Sequence, residues 1–140
     1  MNASKFFLDT NIIVYTFDIT APEKQNIAQG LLESALNNGG IISYQVIQEF
    51  MNLALRKFQP VMTHKQAQDY LREVLLIICD FYPTDDFYTR SLDIHNRWRF
   101  GWYDTLIIGA ALESGCDVLY SEDLQHGQKV EELSICNPFV

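Results

Sequence analysis

The chain has 140 residues, of which 48% are hydrophobic, and this is enough for one domain with a real core. Eighteen acidic residues against ten basic ones leave a formal net charge of −8, which argues against a general DNA-binding protein that relies on phosphate contacts. No apolar stretch approaches the roughly 20 residues of a membrane-spanning helix, so we expect no membrane association and a cytoplasmic location.

Short strands and helices alternate along the first half of the chain. The predicted elements are, in order, a strand at 5–8, a short helix over 12–17, a helix from Pro22 to about 37, a strand at 41–43 and a helix over 46–55. Thr10 or Asn11 is expected to cap the first helix. Pro22 suits the first position of the second helix, and the glycines at 39 and 40 suit its end.

The second half continues the alternation. It is predicted to contain a helix capped by Thr63, a strand near 77–82, a helix capped by Asp85 or Asp86, a helix over 105–113 opened by Asp104, and strands at 118–120 and 133–136. Alternating strands and helices imply right-handed crossovers. We therefore expect a single α/β domain, residues 1–140, with a mainly parallel five-stranded sheet sandwiched by helices.

Two of the predicted strands end at an acidic residue. Asp9 follows the first strand, and Asp123 follows the strand at 118–120. In open α/β sheets ligands bind at the carboxyl edge of the strands, so both side chains are candidates for a functional site. Asp9 could instead cap a helix, although Thr10 or Asn11 is available for that role, and Asp123 could belong to a plain turn.

Two further acids lie within helical patterns. Glu49 is three residues after Val46 and four before Leu53, so it falls on a stripe that should be buried, unless it reaches solvent at the edge. Asp104 could simply complement the dipole of its helix. Four converging carboxylates would repel one another and raise their pKa values, so a bound cation or an acid–base role would account for them.

At these residues the chain resembles a PIN domain, and most of all the VapC-like toxins of bacterial toxin–antitoxin pairs. The matching segments run through the chain in the same order: 7–12 (Phe-Leu-Asp-Thr-Asn-Ile), Ser43 with 45–50 (Gln-Val-Ile-Gln-Glu-Phe), 103–107 (Tyr-Asp-Thr-Leu-Ile), 119–127 (Leu-Tyr-Ser-Glu-Asp-Leu-Gln-His-Gly) and 137–139 (Asn-Pro-Phe). One segment alone would be a weak signal, whereas the set is specific.

The resemblance implies a catalytic cluster that binds Mg²⁺ or Mn²⁺ and cleaves RNA. Its acidic residues would be Asp9, Glu49, Asp104 and Asp123. Asp9 and Asp104 would be direct ligands, while Asp123 and Glu49 would bind through water or position the nucleophile; Thr10, Asn11 and Ser121 would support the site. The role of Glu122 stays open. Hard carboxylate oxygens suit both cations, and a divalent cation acidifies water for attack on a phosphodiester.

Single-stranded or structured RNA is the expected substrate. The densest basic positions are Arg56, Lys57, Arg97 and Arg99, and Trp98, Phe100 and Trp102 are interleaved with the second pair. Cationic and aromatic side chains together suit phosphate contact and base stacking. The two tryptophans could equally be core or dimer residues.

The resemblance also implies an antitoxin partner and a homodimer, and the acidic charge permits a basic partner peptide. Two alternatives remain open. A non-catalytic PIN-fold protein would act through protein contacts alone. An aspartate-based phosphotransfer enzyme of the haloacid-dehalogenase type would need a second Asp two residues after the first, where this chain has Asn11.

Overall fold

A computed structural model describes residues 5–140 of the chain. The elements follow in this order: β1 (Phe6–Leu8), α1 (Thr10–Tyr15), α2 (Pro22–Asn37), β2 (Gly40–Ser43), α3 (Tyr44–Arg56), α4 (His64–Tyr70), a π-helical turn (Leu71–Leu75), α5 (Leu76–Ile78), β3 (Cys79–Phe81), α6 (Asp85–Trp98), α7 (Trp102–Glu113), β4 (Val118–Tyr120), β5 (Lys129–Val130) and β6 (Leu133–Cys136).

The strands form one sheet in the order β3-β2-β1-β4-β6-β5. β1 lies inside the sheet and pairs in parallel with β2 on one side and with β4 on the other. Its register with β4 aligns Phe6 with Val118 and Leu8 with Tyr120, so both strands end at the same edge. The acids that follow these strands, Asp9 and Asp123, are thereby brought to one place.

The expected mainly parallel sheet flanked by helices is confirmed, but the expected number of strands was wrong. The sheet has six strands, because Lys129–Val130 adds a two-residue strand at one edge. It pairs antiparallel with β6, with Val130 opposite Leu133. Two residues are too few to show an alternating hydrophobic pattern, which is why the sequence did not predict this strand.

The cap of α1 also differs from the prediction. Asp9 is the N-cap residue, with extended backbone angles, and its carboxylate accepts a hydrogen bond from the backbone N–H of Thr10. Thr10 and Asn11 are the first two residues of the helix and do not cap it. The interpretation that left Asp9 without a capping role was therefore wrong, and this residue has a structural task in addition to any chemical one.

Two other helix starts lie earlier than predicted. Thr84 caps α6 by accepting from the backbone N–H of Phe87, so neither Asp85 nor Asp86 is the cap. α7 begins at Trp102, which places Asp104 in the first helical turn and not ahead of it. Thr63 caps α4 as expected, in a reciprocal capping box with Gln66.

The core lies between the sheet and its helices. α7 is apolar on almost every side, every residue from Thr105 to Ala111 is buried, and the helix contacts α6 and β4. The largest fully buried side chains come from strands and helices alike: Phe7, Phe50, Phe87, Leu8, Ile12, Ile13, Ile42, Leu75, Ile108, Leu119, Leu133 and Ile135. Within residues 5–140, no helix combines the length and the apolar character needed to cross a membrane.

Candidate functional site

Asp9 lies at the tip of the inner strand β1 and is 6% exposed. Its Oδ1 accepts from the Thr10 backbone N–H at 2.7 Å, and its Oδ2 accepts from the Ser121 hydroxyl at 2.8 Å. Ser121 directly follows β4, the strand beside β1. The predicted supporting role of Ser121 thus has a geometric basis, because its hydroxyl fixes one oxygen of the buried carboxylate.

Glu49 projects from the middle of α3 toward the start of α1. Its Oε1 accepts from the Thr10 hydroxyl at 2.5 Å, and its Oε2 accepts from the Gln45 amide at 3.1 Å. The side chain is half-buried, as expected for a carboxylate on the edge of an apolar stripe. Thr10 therefore contacts both Asp9, through its backbone, and Glu49, through its hydroxyl.

Asp123 is held by the loop that follows β4. The Asn11 side-chain amide nitrogen donates to Asp123 Oδ2 at 3.0 Å, and Asn11 Oδ1 accepts from the Glu122 backbone N–H at 3.2 Å. The Asp123 backbone N–H donates to the Ser121 hydroxyl at 3.2 Å. Asn11 and Ser121, both predicted as supporting residues, fix the short loop that carries this exposed carboxylate.

Asp104 enters the site from the first turn of α7 and is half-buried. No side-chain hydrogen bond to Asp104 occurs within the described chain, in contrast to the other three acids. The position of its carboxylate is therefore determined by the backbone of the helix that carries it.

The electrostatics link these residues, which we call the acidic cluster: Asp9, Glu49, Asp104 and Asp123. Burial raises the pKa of Asp9 from 3.8 to about 6; hydrogen bonds from Ser121 and Thr10 oppose the shift, and repulsion from Glu49 and Asp123 adds to it. Burial also raises the pKa of Asp104, with repulsion from Asp123 and Glu49 acting in the same direction. Glu49 and Asp123 therefore repel both Asp9 and Asp104.

No ion pair between residues 5 and 140 includes a member of the acidic cluster. Its oxygens are hard, negatively charged donors of the kind that Mg²⁺ and Mn²⁺ prefer. As the side chains stand, no three acidic, histidine or cysteine groups of this part of the chain are close enough together to hold one ion. The donor chemistry therefore fits a divalent cation, and a cation would have to draw the mutually repelling carboxylates together.

Glu122 lies beside Asp123 but has other partners. Its carboxylate accepts from the Tyr15 hydroxyl and from the Lys24 ammonium, both at 2.6 Å. Although desolvation opposes ionisation, the bonds from Lys24 and Tyr15 hold the pKa of Glu122 below its ordinary range. Lys24 also lies over the rings of Tyr15 and Phe139. Glu122 is thus neutralised within the protein, which answers the question that the sequence left open.

A cleft of about 540 Å³ opens beside the acidic cluster. Its wall includes the side chains of Val14, Asp18, Glu49, Leu53, Glu122 and Asp123. An acidic lining with apolar patches suits a cation, or a ligand that brings positive charge of its own.

The basic residues predicted to bind substrate lie at helix ends and are exposed. Arg56 and Lys57 end α3, and the Arg56 guanidinium lies 3.5 Å from Asn52 Oδ1, a side chain that lines the cleft. Arg97 and Arg99 end α6, where Arg97 stacks over Trp98. Trp98 and Trp102 pack partly buried against the core, as their alternative interpretation held. The contribution of the four basic residues stays a prediction.

Sequence reasoning missed Gln45, Tyr15 and Lys24. Gln45 precedes Glu49 by four residues, so helical spacing could have placed the two on one face. Lys24 and Glu122 are 98 residues apart in sequence, and no local signal connects them.

A family model described as PIN domain matches residues 6–131. The chain belongs to the PIN domain family. The resemblance seen in the motifs is confirmed at this level, and the match leaves the aspartate-based phosphotransfer alternative without support. No curated protein matches the sequence significantly.

Solved structures share the fold of this PIN domain. A toxin–antitoxin complex from Klebsiella pneumoniae has a TM-score of 0.69 at 20% identity, covering 96% of this chain and 98% of that one. VapBC2 from Rickettsia felis, bound to a promoter DNA fragment, has a TM-score of 0.62 at 19% identity, with 93% and 96% covered. VapC20 from Mycobacterium tuberculosis, a toxin that cleaves the sarcin-ricin loop, has a TM-score of 0.60 at 16% identity, covering 84% of this chain and 88% of that one. These identities establish similarity of fold alone.

Proposed function

We propose that this PIN domain is a metal-dependent endoribonuclease that uses Mg²⁺ or Mn²⁺ and acts as the toxin of a toxin–antitoxin pair. The observation that carries the proposal is the acidic cluster, whose carboxylates form no ion pair within residues 5–140 and, at Asp9 and Asp104, have raised pKa values. The fold shared with toxin structures, one of them an RNA-cleaving toxin, supports it.

Within this proposal, Asp9, Asp104 and Asp123 hold the cation. A divalent cation supplies charge for the scissile phosphate and makes a water more acidic. Glu49 is held through both oxygens and has lone pairs left with which to orient that water for in-line attack. Ser121 and Thr10 keep the Asp9 carboxylate in one orientation.

The acidic cleft also supports the antitoxin part of the proposal. A partner segment with a basic side chain would place positive charge against the acidic lining of the cleft, and it would exclude substrate and cation from the same place. The single-stranded or structured RNA substrate, the homodimer and the cytoplasmic location remain proposals of the same kind.

The decisive variant is Asp9→Asn, which removes one negative charge and keeps the side-chain shape. We expect Mn²⁺ to raise the melting temperature of the parent protein, because it relieves repulsion in the acidic cluster, and to support cleavage of an RNA panel. Asp9→Asn should lose both effects. The measurements are thermal unfolding with Mn²⁺ or EDTA, and sequencing of the RNA ends produced by each protein.

Asp93→Asn is a matched control, since Asp93 is an exposed acid on α6 and the substitution changes the net charge equally. It should behave as the parent does. RNA cleavage by Asp9→Asn at the parental rate would show that the site is misassigned. A parent that neither binds Mn²⁺ nor cleaves RNA would indicate the non-catalytic PIN-fold alternative.

A further inference from the structure

The buried side chain of Gln45 joins two helices that carry members of the acidic cluster. It is 6% exposed, and its Nε2 donates to Glu49 Oε2 at 3.1 Å and to the Tyr103 backbone carbonyl at 3.2 Å. A primary amide has two N–H donors, so both are used. The amide therefore connects α3 to the first turn of α7.

The bridge continues on the far side of Glu49. The other oxygen of Glu49 accepts from the Thr10 hydroxyl, and the Thr10 backbone N–H donates to Asp9. Tyr103, at the opposite end, directly precedes Asp104. One continuous series of hydrogen bonds thus runs from Asp9 at the tip of β1, through α3, to the residue before Asp104.

The position of Asp104 depends on the first turn of α7. Its side chain has no hydrogen bond within residues 5–140, so the first turn of α7 determines where its carboxylate lies. The neighbouring residue Tyr103 is 69% exposed and does not anchor the turn in the core. The Tyr103 carbonyl, held by Gln45, is therefore a fixed point beside Asp104.

An uncharged amide suits this position for an electrostatic reason. A lysine or arginine there would pair with Glu49 and neutralise part of the acidic cluster, whereas an acid would repel it. Gln45 holds Glu49 and adds no charge, so the negative potential available to a cation is unchanged.

We infer that Gln45 is a positioning residue, which sets the spacing between Glu49 and Asp104 and thereby the affinity of the acidic cluster for a divalent cation. This inference rests on the proposed metal-dependent function. Gln45 does not touch the cation or the RNA, and it acts through the two groups to which it donates.

The test is Gln45→Met, which keeps length and apolar volume and removes both donors. Removing both donors releases Glu49 and the turn of α7 that carries Asp104. Loss of a direct partner of a metal ligand typically weakens metal binding about 10- to 100-fold. Because Gln45 acts one step further out, we expect the Mn²⁺ dissociation constant, measured by calorimetry, to rise by about 10-fold, the lower end of this range. The Mn²⁺ concentration that gives half-maximal RNA cleavage should rise by the same factor. A purely structural role would lower the melting temperature without changing the Mn²⁺ affinity of the folded protein.

Gln48→Met is the matched control, because Gln48 is an exposed glutamine on the same helix. It should bind Mn²⁺ as the parent does. Gln45→Asn retains the amide on a side chain too short to reach both partners, and it should also weaken Mn²⁺ binding; it provides the readout if the Met variant does not fold.

Equal Mn²⁺ affinity in the parent and in a folded Gln45 variant would overturn the inference and leave the proposed function standing. A parent that binds no Mn²⁺ would remove both together.

Discussion

Asp9 combines a structural role and a proposed chemical role in one buried carboxylate. It caps α1, accepts from Ser121 and faces the repulsion of Glu49 and Asp123. Its two hydrogen bonds lower the cost of burial without cancelling it, which is why its pKa remains above the ordinary value. Because the ionised form of Asp9 is disfavoured in the fold, its ionisation should make the free energy of unfolding depend on pH.

Without metal, the stability of the protein should fall as pH rises. The pKa of Asp9 is about 6 in the fold against 3.8 ordinarily, so the folded protein holds this proton more tightly than the unfolded chain does. Below the ordinary pKa, Asp9 is protonated in both the folded and the unfolded chain, so it does not lower the free energy of unfolding. It costs about 1.5 kcal/mol near pH 5 and reaches about 3 kcal/mol above the raised pKa, near pH 8. Urea unfolding in EDTA across this range would measure it.

Asp9→Asn is the control for this pH dependence, since an amide does not titrate. Its stability in EDTA should vary less between pH 5 and pH 8 than that of the parent, and it should exceed the parent most clearly at pH 8. Identical pH profiles for the two proteins would mean that Asp9 is not the responsible group. Added Mn²⁺ should reverse the trend for the parent, because metal and proton compete for the same carboxylates.

At the scale of elements, the contact between α2 and β2 depends on a glycine. A Cβ added at Gly40 would lie 2.3 Å from the Cβ of Ala35 and 2.6 Å from the Phe6 ring. Gly40 begins β2 and is the partner of Phe6 in β1. Since α3, with Glu49, follows β2 directly, the position of this strand also affects the acidic cluster.

Gly40→Ala and Gly30→Ala should have opposite effects on stability. Overpacking at Gly40 is expected to cost about 1–3 kcal/mol or more, because backbone as well as side-chain atoms must move. Gly30 lies within α2 with no atom near its added Cβ, so Gly30→Ala should stabilise by up to about 1 kcal/mol. Urea denaturation of both variants measures this; a Gly40→Ala variant as stable as the parent would contradict the packing described here.

The elements of the fold were predictable where the local signal was strong. Strand tips at Asp9 and Asp123, the helix from Pro22 and the cap at Thr63 could be read directly, because each depends on neighbouring residues. The cap at Thr84 was missed because the two residues that follow it are aspartates, which are also common N-cap residues. Contacts between distant segments, such as Lys24 with Glu122 or Gln45 with Tyr103, leave no local pattern. The sequence therefore indicated which acids matter, but not what holds them in place.

At the scale of the molecule, the net charge of −8 opposes any approach of RNA. The cleft contributes to this repulsion through several carboxylates, and Lys24 beside it is already paired with Glu122. The basic residues at the ends of α3 and α6 are few. Divalent cations are therefore expected to contribute to substrate binding as well as to cleavage.

Binding of RNA should accordingly require metal. Fluorescence anisotropy of a labelled single-stranded RNA should show little association in EDTA and clear association in Ca²⁺, a divalent oxygen-seeking cation that allows binding to be followed apart from Mn²⁺-supported cleavage. The Arg56→Gln and Arg97→Gln variants should weaken binding further. Equal affinity with and without divalent cations would show that RNA reaches the protein through a surface other than the acidic cleft.

The pairing of β1 with β4 determines when the acidic cluster can assemble during synthesis. Asp9 and the Ser121 hydroxyl that orients it are 112 residues apart, so Asp9 emerges from the ribosome long before its partner. A nascent chain that already contains Asp9, Glu49 and Asp104 still lacks β4, which pairs with β1 on its other side, and the loop with Asp123. Closing so long a loop has an entropic cost, and this cost is offset only when β4 pairs with β1. A chain proposed to cleave RNA would thus remain harmless to the message and ribosome producing it until β4 and the loop that follows it have been synthesised.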